Sequence, residues 1–225
     1  MRARLPDPPL LVVTDRRQAA RPLADSLDAA FAAGARWASI REKDLSKAEQ
    51  AALAKQLLHV AERHGARLLL HGDPEVAKAA ALAGVHLPAG SDPQTARARL
   101  GEAALIGVSV HTPAEAARLD PAAVDYALAG PAFATASKPG YGPALEGAGL
   151  AAMVRAARVP VLAIGGITVE SVPEILAAGV AGVAVMGGVM RATDPGDAVR
   201  RLPAALAART IPGSVVGSGQ LSEKA

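Results

Sequence analysis

The sequence predicts a single-domain (β/α)8 TIM barrel, and three observations lead to that fold class. Eight short apolar runs recur along the chain, eight alanine-rich segments with helical periodicity separate them, and the whole chain has 225 residues. Strands and helices that alternate within one domain-sized chain are typical of a closed α/β barrel. An open, doubly wound sheet is the alternative, but no GxGxxG sequence follows the first apolar run.

Most of the predicted strands are apolar on both faces. Parallel strands that are covered by helices read as near-continuous apolar runs rather than as alternating patterns. Aromatic residues make up only 2% of the chain, so Ala, Val, Leu and Ile must build the core. The predicted strands are, in order, 10–15, 37–42, 67–72, 83–88, 105–110, 125–130, 159–166 and 182–188.

The predicted helices carry start signals. Asp73, Asp92 and Thr112 each precede a proline, which places a capping side chain before a residue suited to the first helical position. Thr168 is the predicted cap of the seventh helix. The predicted helices are 22–33, 46–63, 74–82, 93–100, 113–118, 147–157, 169–178 and 196–208.

Composition and charge exclude several classes of function. The chain contains no cysteine, which excludes disulfides and thiolate chemistry. Its formal charge of +3 comes from scattered Arg and Lys residues, without basic clusters or stacking aromatics, so no nucleic-acid partner is expected. No apolar segment reaches the roughly 18 residues of a membrane span, and the N-terminus is a poor signal peptide. We therefore expect a cytoplasmic protein without a membrane partner; a homodimer is left open.

The domain boundary is predicted close to the C-terminus. The barrel should occupy residues 1–209, since the last predicted helix ends at residue 208. The remaining stretch, 210–225, is rich in Gly and Ser and polar overall. Such terminal composition predicts a flexible tail.

The seventh and eighth predicted strands both end in glycine pairs, at the place where barrel enzymes often bind phosphate on backbone N–H groups. Glycine lets a ligand approach the backbone because it has no Cβ. The pairs can also serve only as tight turns, but their place on neighbouring strands, with Arg41, Lys43 and Lys138 able to face them, favours a phosphate site. The predicted phosphate-binding residues are Gly165, Gly166, Met186, Gly187 and Gly188.

His111 is the preferred acid–base candidate, because it follows an apolar strand immediately before a Thr-Pro helix start. Histidine can take and return a proton near neutral pH, although a helix-capping or solvent-facing role fits the position equally well. His71 lies at a strand end and is a candidate ligand contact, whereas His86 is more consistent with a hydrogen-bonded core residue. Loop 131–146 is long enough to be a lid or binding segment. Its candidate binding residues are Thr135, Ser137 and Lys138.

Seven segments together resemble a known family. They are "LVVTD", "SIREKD", "GVHLP", "IGVSVHTPAEA", "GPAFATASKPGYGPALEG", "PVLAIGGIT" and "GVAVMGG". In this order they resemble the thiamine phosphate synthase superfamily of TIM barrels, which also contains the thiazole tautomerases. The resemblance runs from about residue 10 to about residue 207. It implies a small phosphorylated thiazole as substrate.

The synthases of this superfamily couple hydroxymethylpyrimidine pyrophosphate to thiazole phosphate, with Mg²⁺ holding the pyrophosphate. The resemblance implies a Q-x-R-x-K sequence on the second strand, where this chain keeps Arg41 and Lys43 but has Ser39. Arg41 and Lys43 are therefore expected to face the substrate.

The acidic metal ligands of the synthases are the clearest departures. The resemblance implies Asn-Asp where His71-Gly72 stand, and a second acid where "HLPAGSD" places Ser91. A hard divalent ion requires carboxylate ligands, so Asp73 and Asp92 are the residues that could substitute through a shift of their loops.

The same departures resemble the tautomerase branch, which implies a thiazole tautomerase that aromatises the carboxythiazole phosphate tautomer. His111 would move the proton, and neither a metal nor another cofactor would be needed; Mg²⁺ is expected only in a synthase. Substrate contacts would come from Arg41, Lys43 and His71 and from the loop residues. The first alternative is a thiamine phosphate synthase with a rearranged metal site. The second is a non-catalytic barrel that binds thiazole or thiamine phosphates for regulation.

Overall fold

The fold is a closed barrel of eight parallel strands with helices around it, in a computed structural model that describes residues 4–135 and 143–207. The strands follow one another around the barrel in sequence order, and the first strand pairs with the eighth. The predicted (β/α)8 TIM barrel is confirmed. The predicted tail, 210–225, lies outside the described residues.

Every strand forms within one of the predicted apolar runs. The strands are β1 (Leu10–Val13), β2 (Trp37–Ile40), β3 (Arg67–His71), β4 (Gly84–Leu87), β5 (Leu105–Val110), β6 (Tyr126–Ala129), β7 (Val161–Ile164) and β8 (Gly182–Val185). The register of β4, β5 and β6 matters for the site below. It places His86 opposite Gly107, and Gly107 opposite Tyr126.

Helices follow the strands and cover the outside of the barrel. They are α1 (Leu23–Ala32), α2 (Lys47–Arg63), α3 (Pro74–Ala79), α4 (Pro93–Leu100), α5 (Pro113–Ala117), α6 (Glu146–Ala156), α7 (Val172–Ala177), α8 (Gly187–Met190) and α9 (Pro195–Ala207). Asp73, Asp92 and Thr112 cap α3, α4 and α5 as predicted, each accepting a backbone N–H from the first turn. Within the described ranges, no helix is long and apolar enough to span a membrane.

Two features beside the seventh and eighth strands differ from the prediction. The single-turn helix α8 was not predicted, and it follows β8 directly. The predicted cap at Thr168 is wrong, because Ser171 occupies the N-cap position of α7. The backbone N–H of Thr168 donates instead to Ser171 Oγ at 3.0 Å. This bond lies in a turn that precedes the helix, which begins at Val172.

Apolar side chains fill two layers. The outer layer lies between the strands and the helices, and the inner layer fills the barrel. The inner layer consists of Leu11, Val13, Trp37, Leu69, Leu105, Tyr126, Leu128, Leu162 and Ala184. Because successive side chains of a strand point to opposite faces, Ser39, His71, His86 and Ser109 also point into the barrel. Polar groups therefore lie inside it near the carboxyl ends of the strands.

Candidate active site

A cavity of about 380 Å³ opens at the carboxyl ends of the strands. In α/β barrels this end carries the binding and catalytic residues. The cavity brings together most of the predicted site residues: Arg41, His111, Thr135, Gly165, Gly166, Met186, Gly187 and Gly188. Lys43 and His71 are not among its lining residues, and Ser137 and Lys138 lie outside the described residues.

Gly165 and Gly166 form the turn after β7 and have positive φ angles of 104° and 65°. A Cβ at Gly166 would lie 2.6 Å from the carbonyl oxygen of Ala134 and 2.7 Å from Cβ of Phe133. Glycine is therefore required here both by the backbone conformation and by the close approach of the loop that follows β6. The turn holds that loop against the cavity, beside Thr135.

The second glycine pair begins α8. Met186 is the N-cap residue, and Gly187 and Gly188 form the first turn. The first N–H groups of a helix have no intrahelical partner and point out of its N-terminus, where anions are favoured. A Cβ on Gly188 would meet no atom within 4 Å, so the space above this residue is open. We call the two glycine turns, residues 165–166 and 186–188, the glycine cup.

Arg41 is held in place through its backbone. Its N–H donates to Thr14 Oγ1 at 2.9 Å, and the Thr14 hydroxyl donates to Glu42 Oε1 at 2.7 Å. Glu42 is only 3% exposed and also accepts the backbone N–H of Arg16, so a satisfied carboxylate links the loops after β1 and β2. The guanidinium group of Arg41 remains at the cavity, with its Nη1 3.9 Å from Asp15 Oδ2.

Lys43 and His71 lie beside the cavity rather than in its lining. Burial of the ammonium group and, secondly, the charge of Arg41 lower the pKa of Lys43 below its ordinary value. Two cations are thus close together, a cost that a bound anion would relieve. The ring of His71 lies over that of His86, with 5.1 Å between the ring centroids.

His111 has a defined ring orientation at the cavity. Its Nδ1 lies 2.8 Å from the carbonyl oxygen of Gly130, and its backbone N–H donates to Glu115 Oε2 at 2.6 Å. A carbonyl oxygen only accepts hydrogen bonds, so Nδ1 carries the proton of the neutral ring and Nε2 is the acceptor. The arrangement can take a proton or a hydrogen bond from a ligand at Nε2.

Three further polar residues line the cavity but were absent from the predicted site, namely Ser109, Thr168 and Arg191. Ser109 is the inward-facing residue two positions before His111, a spacing that could have pointed to it. Arg191 follows α8 directly, and its Nη1 donates to Gln18 Oε1 in the loop after β1. Arg191 lies beside the glycine cup because α8 turns the chain there, and no pattern in the sequence predicts this helix.

The cavity is cationic. Arg41 and Arg191 line it, whereas no Asp or Glu of the described ranges does. It combines those guanidinium groups with the backbone N–H groups of the glycine cup. Such a lining matches a ligand with more than one negative charge.

A family model described as thiamine monophosphate synthase matches residues 10–189. The chain belongs to the thiamine monophosphate synthase family. A thiamine-phosphate synthase of Xanthobacter autotrophicus is 41% identical to it over 208 residues, which cover 89% of this chain and 96% of the relative. The thiamine-phosphate synthase of Roseiflexus sp. (strain RS-1) is 37% identical over 198 residues, 87% of this chain and 84% of the relative. The solved thiamine phosphate pyrophosphorylase from Pyrococcus furiosus superposes with a TM-score of 0.77 at 30% identity, covering 88% and 95% of the two chains.

These comparisons confirm the resemblance and correct the predicted branch. The prediction of a thiazole tautomerase is wrong, because relatives that match along almost the whole chain are named thiamine-phosphate synthases. That prediction rested on a few positions at the ends of β3 and β4. As a member of this family, the chain is an enzyme of thiamine biosynthesis that acts on phosphorylated small molecules. The alternative of a non-catalytic binding protein is therefore set aside.

The carboxylates that were considered as substitute Mg²⁺ ligands do not fit that task. Asp73 caps α3, and its Oδ2 lies 2.6 Å from Nζ of Lys47 in an ion pair. Asp92 accepts hydrogen bonds from the backbone N–H of Gln94 and from the hydroxyl of Thr95. Neither lines the cavity. Among residues 4–135 and 143–207, no three His, Asp or Glu side chains converge on a possible metal position.

Proposed function

We propose that the chain is a thiamine phosphate synthase, which couples hydroxymethylpyrimidine pyrophosphate to thiazole phosphate and releases pyrophosphate. Relatives with this name match most of its length. The observation that supports it in the site is the union of the glycine cup and two guanidinium groups in one cavity, without a carboxylate from the described residues. Both substrates are phosphorylated, so such a cavity matches their charge.

The glycine cup is the proposed site of the thiazole phosphate. Backbone N–H groups at a helix start bind phosphate without the desolvation of a charged side chain, and the open space at Gly188 leaves room for phosphate oxygens. Anchoring this group would hold the thiazole ring within the cavity. Holding two reactants in one geometry lowers the entropic part of the barrier.

The cations are proposed to bind the pyrophosphate of the second substrate. Negative charge grows on the leaving oxygen as the bond from the pyrimidine methylene carbon breaks, and cations fixed beforehand stabilise that charge without reorganising. Arg41 is fixed through Thr14 and Glu42, and Arg191 is tethered to Gln18. Lys43, beside Arg41, would add a third positive charge once an anion is bound.

Asp73 and Asp92 are proposed to act as helix caps and not as Mg²⁺ ligands. Positive charge at the pyrophosphate would come from the chain itself. His111 is the proposed contact for the reacting rings, because its Nε2 accepts a proton or a hydrogen bond while Gly130 fixes the ring. Thr135 would contact the substrate from the loop after β6.

The test is formation of thiamine phosphate by the purified chain from the two phosphorylated substrates. His111→Asn and Arg191→Gln should each lower turnover, on the order of 10- to 100-fold for the loss of one charge-assisted hydrogen bond. The matched control is Arg200→Gln, since this arginine is 63% exposed on α9 and lies outside the cavity. If a folded, unmodified chain formed no thiamine phosphate with or without Mg²⁺, the proposed function would be wrong.

A further inference from the structure

Three polar side chains form a hydrogen-bonded row inside the barrel, beneath the cavity. His86 Nδ1 lies 3.2 Å from Tyr126 Oη, and His86 Nε2 lies 2.8 Å from Ser109 Oγ. His86 is 1% exposed and Tyr126 is fully buried, whereas Ser109 lines the cavity. The row therefore connects the centre of the barrel with the cavity.

The row exists because the strand between His86 and Tyr126 carries a glycine at the right register. Gly107 of β5 lies opposite His86 on one side and opposite Tyr126 on the other. A Cβ at Gly107 would lie 2.1 Å from Cζ of Tyr126, so the tyrosine ring occupies the place of the absent side chain. This absence lets a tyrosine on β6 reach a histidine on β4.

The direction of the protons follows from the chemistry of each group. Burial, and secondly Asp125, raise the pKa of Tyr126, so its hydroxyl stays protonated. In the part of the chain that the structure describes, the Tyr126 hydroxyl bonds only to His86 Nδ1. The hydroxyl is assigned as the donor, because its buried hydrogen would otherwise have no acceptor among these residues. Burial first, and Lys43 second, lower the pKa of His86 to about 3, which leaves a neutral ring with one proton.

The proton of that neutral ring must then lie on His86 Nε2. This N–H donates to Ser109 Oγ, so the hydrogen of the Ser109 hydroxyl cannot point back at the histidine. Because Ser109 lines the cavity, the hydrogen of its hydroxyl can be donated to a ligand there. The opposite tautomer would turn a serine lone pair toward the ligand instead.

We propose that His86 and Tyr126 are positioning residues that hold the Ser109 hydroxyl as a hydrogen-bond donor to an anionic oxygen of the bound substrate. The unprotonated oxygens of phosphate and pyrophosphate accept hydrogen bonds but cannot donate them, so a hydroxyl held as a donor matches these oxygens and a lone pair repels them. The proposal rests on the proposed function in one respect, namely that the cavity binds a phosphorylated substrate. The orientation of the protons is independent of which substrate binds.

The first experiment measures the tautomer of His86 by NMR on ¹⁵N-labelled protein. The His86 ring signal is assigned by its loss in His86→Gln, and we expect a neutral ring with its proton on Nε2. Tyr126→Phe removes the donor to Nδ1, so a fraction of the rings should carry the proton on Nδ1. A proton on Nδ1 in the unmodified protein, or an unchanged tautomer in Tyr126→Phe, would overturn the proposal.

Trp37→Phe is the matched control for this measurement. Trp37 packs edge-on against Tyr126 with 5.2 Å between the ring centroids, but it makes no hydrogen bond to the row. The Trp37→Phe substitution perturbs the packing around Tyr126 and should leave the tautomer of His86 unchanged. A tautomer change in Trp37→Phe as large as that in Tyr126→Phe would mean that packing, rather than the tyrosine hydroxyl, sets the proton, and it would overturn the proposal.

The second experiment is a double-mutant cycle with Ser109→Ala and Tyr126→Phe, read as pyrophosphate affinity by calorimetry and as turnover. Each single variant should lose on the order of 10-fold in affinity or more, as a charge-assisted hydrogen bond is lost or misdirected. The effect of Tyr126→Phe should largely vanish in the Ser109→Ala background, although Tyr126 and Ser109 are joined only through His86. Additive losses would overturn the positioning role. Failure of the unmodified chain to bind pyrophosphate or turn over would overturn the proposed function and the ligand part of this proposal, while the NMR result would still decide the proton direction.

Discussion

Asp92 offers a direct test of whether the acids near the cavity act as helix caps or as metal ligands. Its Oδ1 accepts the backbone N–H of Gln94 at 2.9 Å, and its Oδ2 accepts the Thr95 hydroxyl at 2.6 Å. These bonds account for the lowered pKa of Asp92, with the Thr95 hydroxyl as the largest cause. We predict that Asp92→Ala destabilises the fold, whereas Asp92→Asn leaves both the fold and turnover nearly intact.

The magnitude follows from the two hydrogen bonds. Loss of an N-cap side chain to alanine costs about 1 kcal/mol of stability, and the exposed bond to Thr95 adds up to about 1 kcal/mol. For a chain of this size, that total corresponds to a fall in Tm of ~2–8 °C. Asparagine caps helices as well as aspartate does and keeps an acceptor for Gln94, so Asp92→Asn should change Tm by less than about 2 °C.

The assay pairs thermal unfolding, followed by circular dichroism, with thiamine phosphate formation over a Mg²⁺ titration. For a cap, Asp92→Asn keeps its Tm, its turnover and its response to Mg²⁺. For a metal ligand, it would keep its Tm but lose turnover or require much more Mg²⁺, and that result would refute the assignment. Asp73 allows the same comparison, with Lys47→Met as a control for its exposed ion pair.

Three further predictions concern other parts of the barrel. Gly188→Ala should leave Tm unchanged or raise it, since its Cβ meets no atom within 4 Å, but should weaken phosphate binding measured by calorimetry; unchanged affinity would remove this residue from the cup. Gly107→Ala should lower the unfolding free energy by about 1–3 kcal/mol, because its Cβ would overlap the ring of Tyr126; native stability in denaturant titrations would contradict this. The ion pair with Arg16 lowers the pKa of Asp44 from 3.8 to about 2. The ionised Asp44 therefore stabilises the fold fully at pH values above 3.8, and this stabilisation is lost as the pH falls toward 2. Asp44→Asn should therefore flatten the fall of Tm across that interval, and an identical pH profile would contradict the role of this ion pair.

The barrel was predictable from the sequence because each strand lies in a short apolar run and three helices start at a cap followed by proline. Both signals are local, so neither depends on the rest of the fold. The single-turn helix α8 was not predictable, since Gly-Gly-Val-Met has a poor intrinsic helix propensity. Its formation depends on the position of β8, and Arg191 was missed together with it.

The candidate site was predictable only in part, because strand periodicity ends where the strand ends. Arg41 and Lys43 both follow β2, which ends at Ile40, so the alternation of side chains along a strand does not predict where they point. Arg41 lines the cavity, whereas Lys43 does not. The contact of His86 with Ser109 and Tyr126 joins residues that are 23 and 40 positions apart. Such a contact depends on strand register, which the sequence alone leaves open.

The error in the predicted branch arose from the positions where acidic metal ligands were expected, since His71-Gly72 and Ser91 stand there instead. Asp73 and Asp92 each precede a proline, and that pattern already predicted helix caps; the same residues were also considered as metal ligands. In the structure both cap helices and neither lines the cavity, whereas both turns of the glycine cup do. Under the proposed function, arginine and lysine side chains of the chain would neutralise the pyrophosphate. This makes Arg191, which the sequence did not reveal, as important to the proposed reaction as Arg41, and Arg191→Gln is the variant that separates this charge balance from one that depends on a carboxylate-held metal.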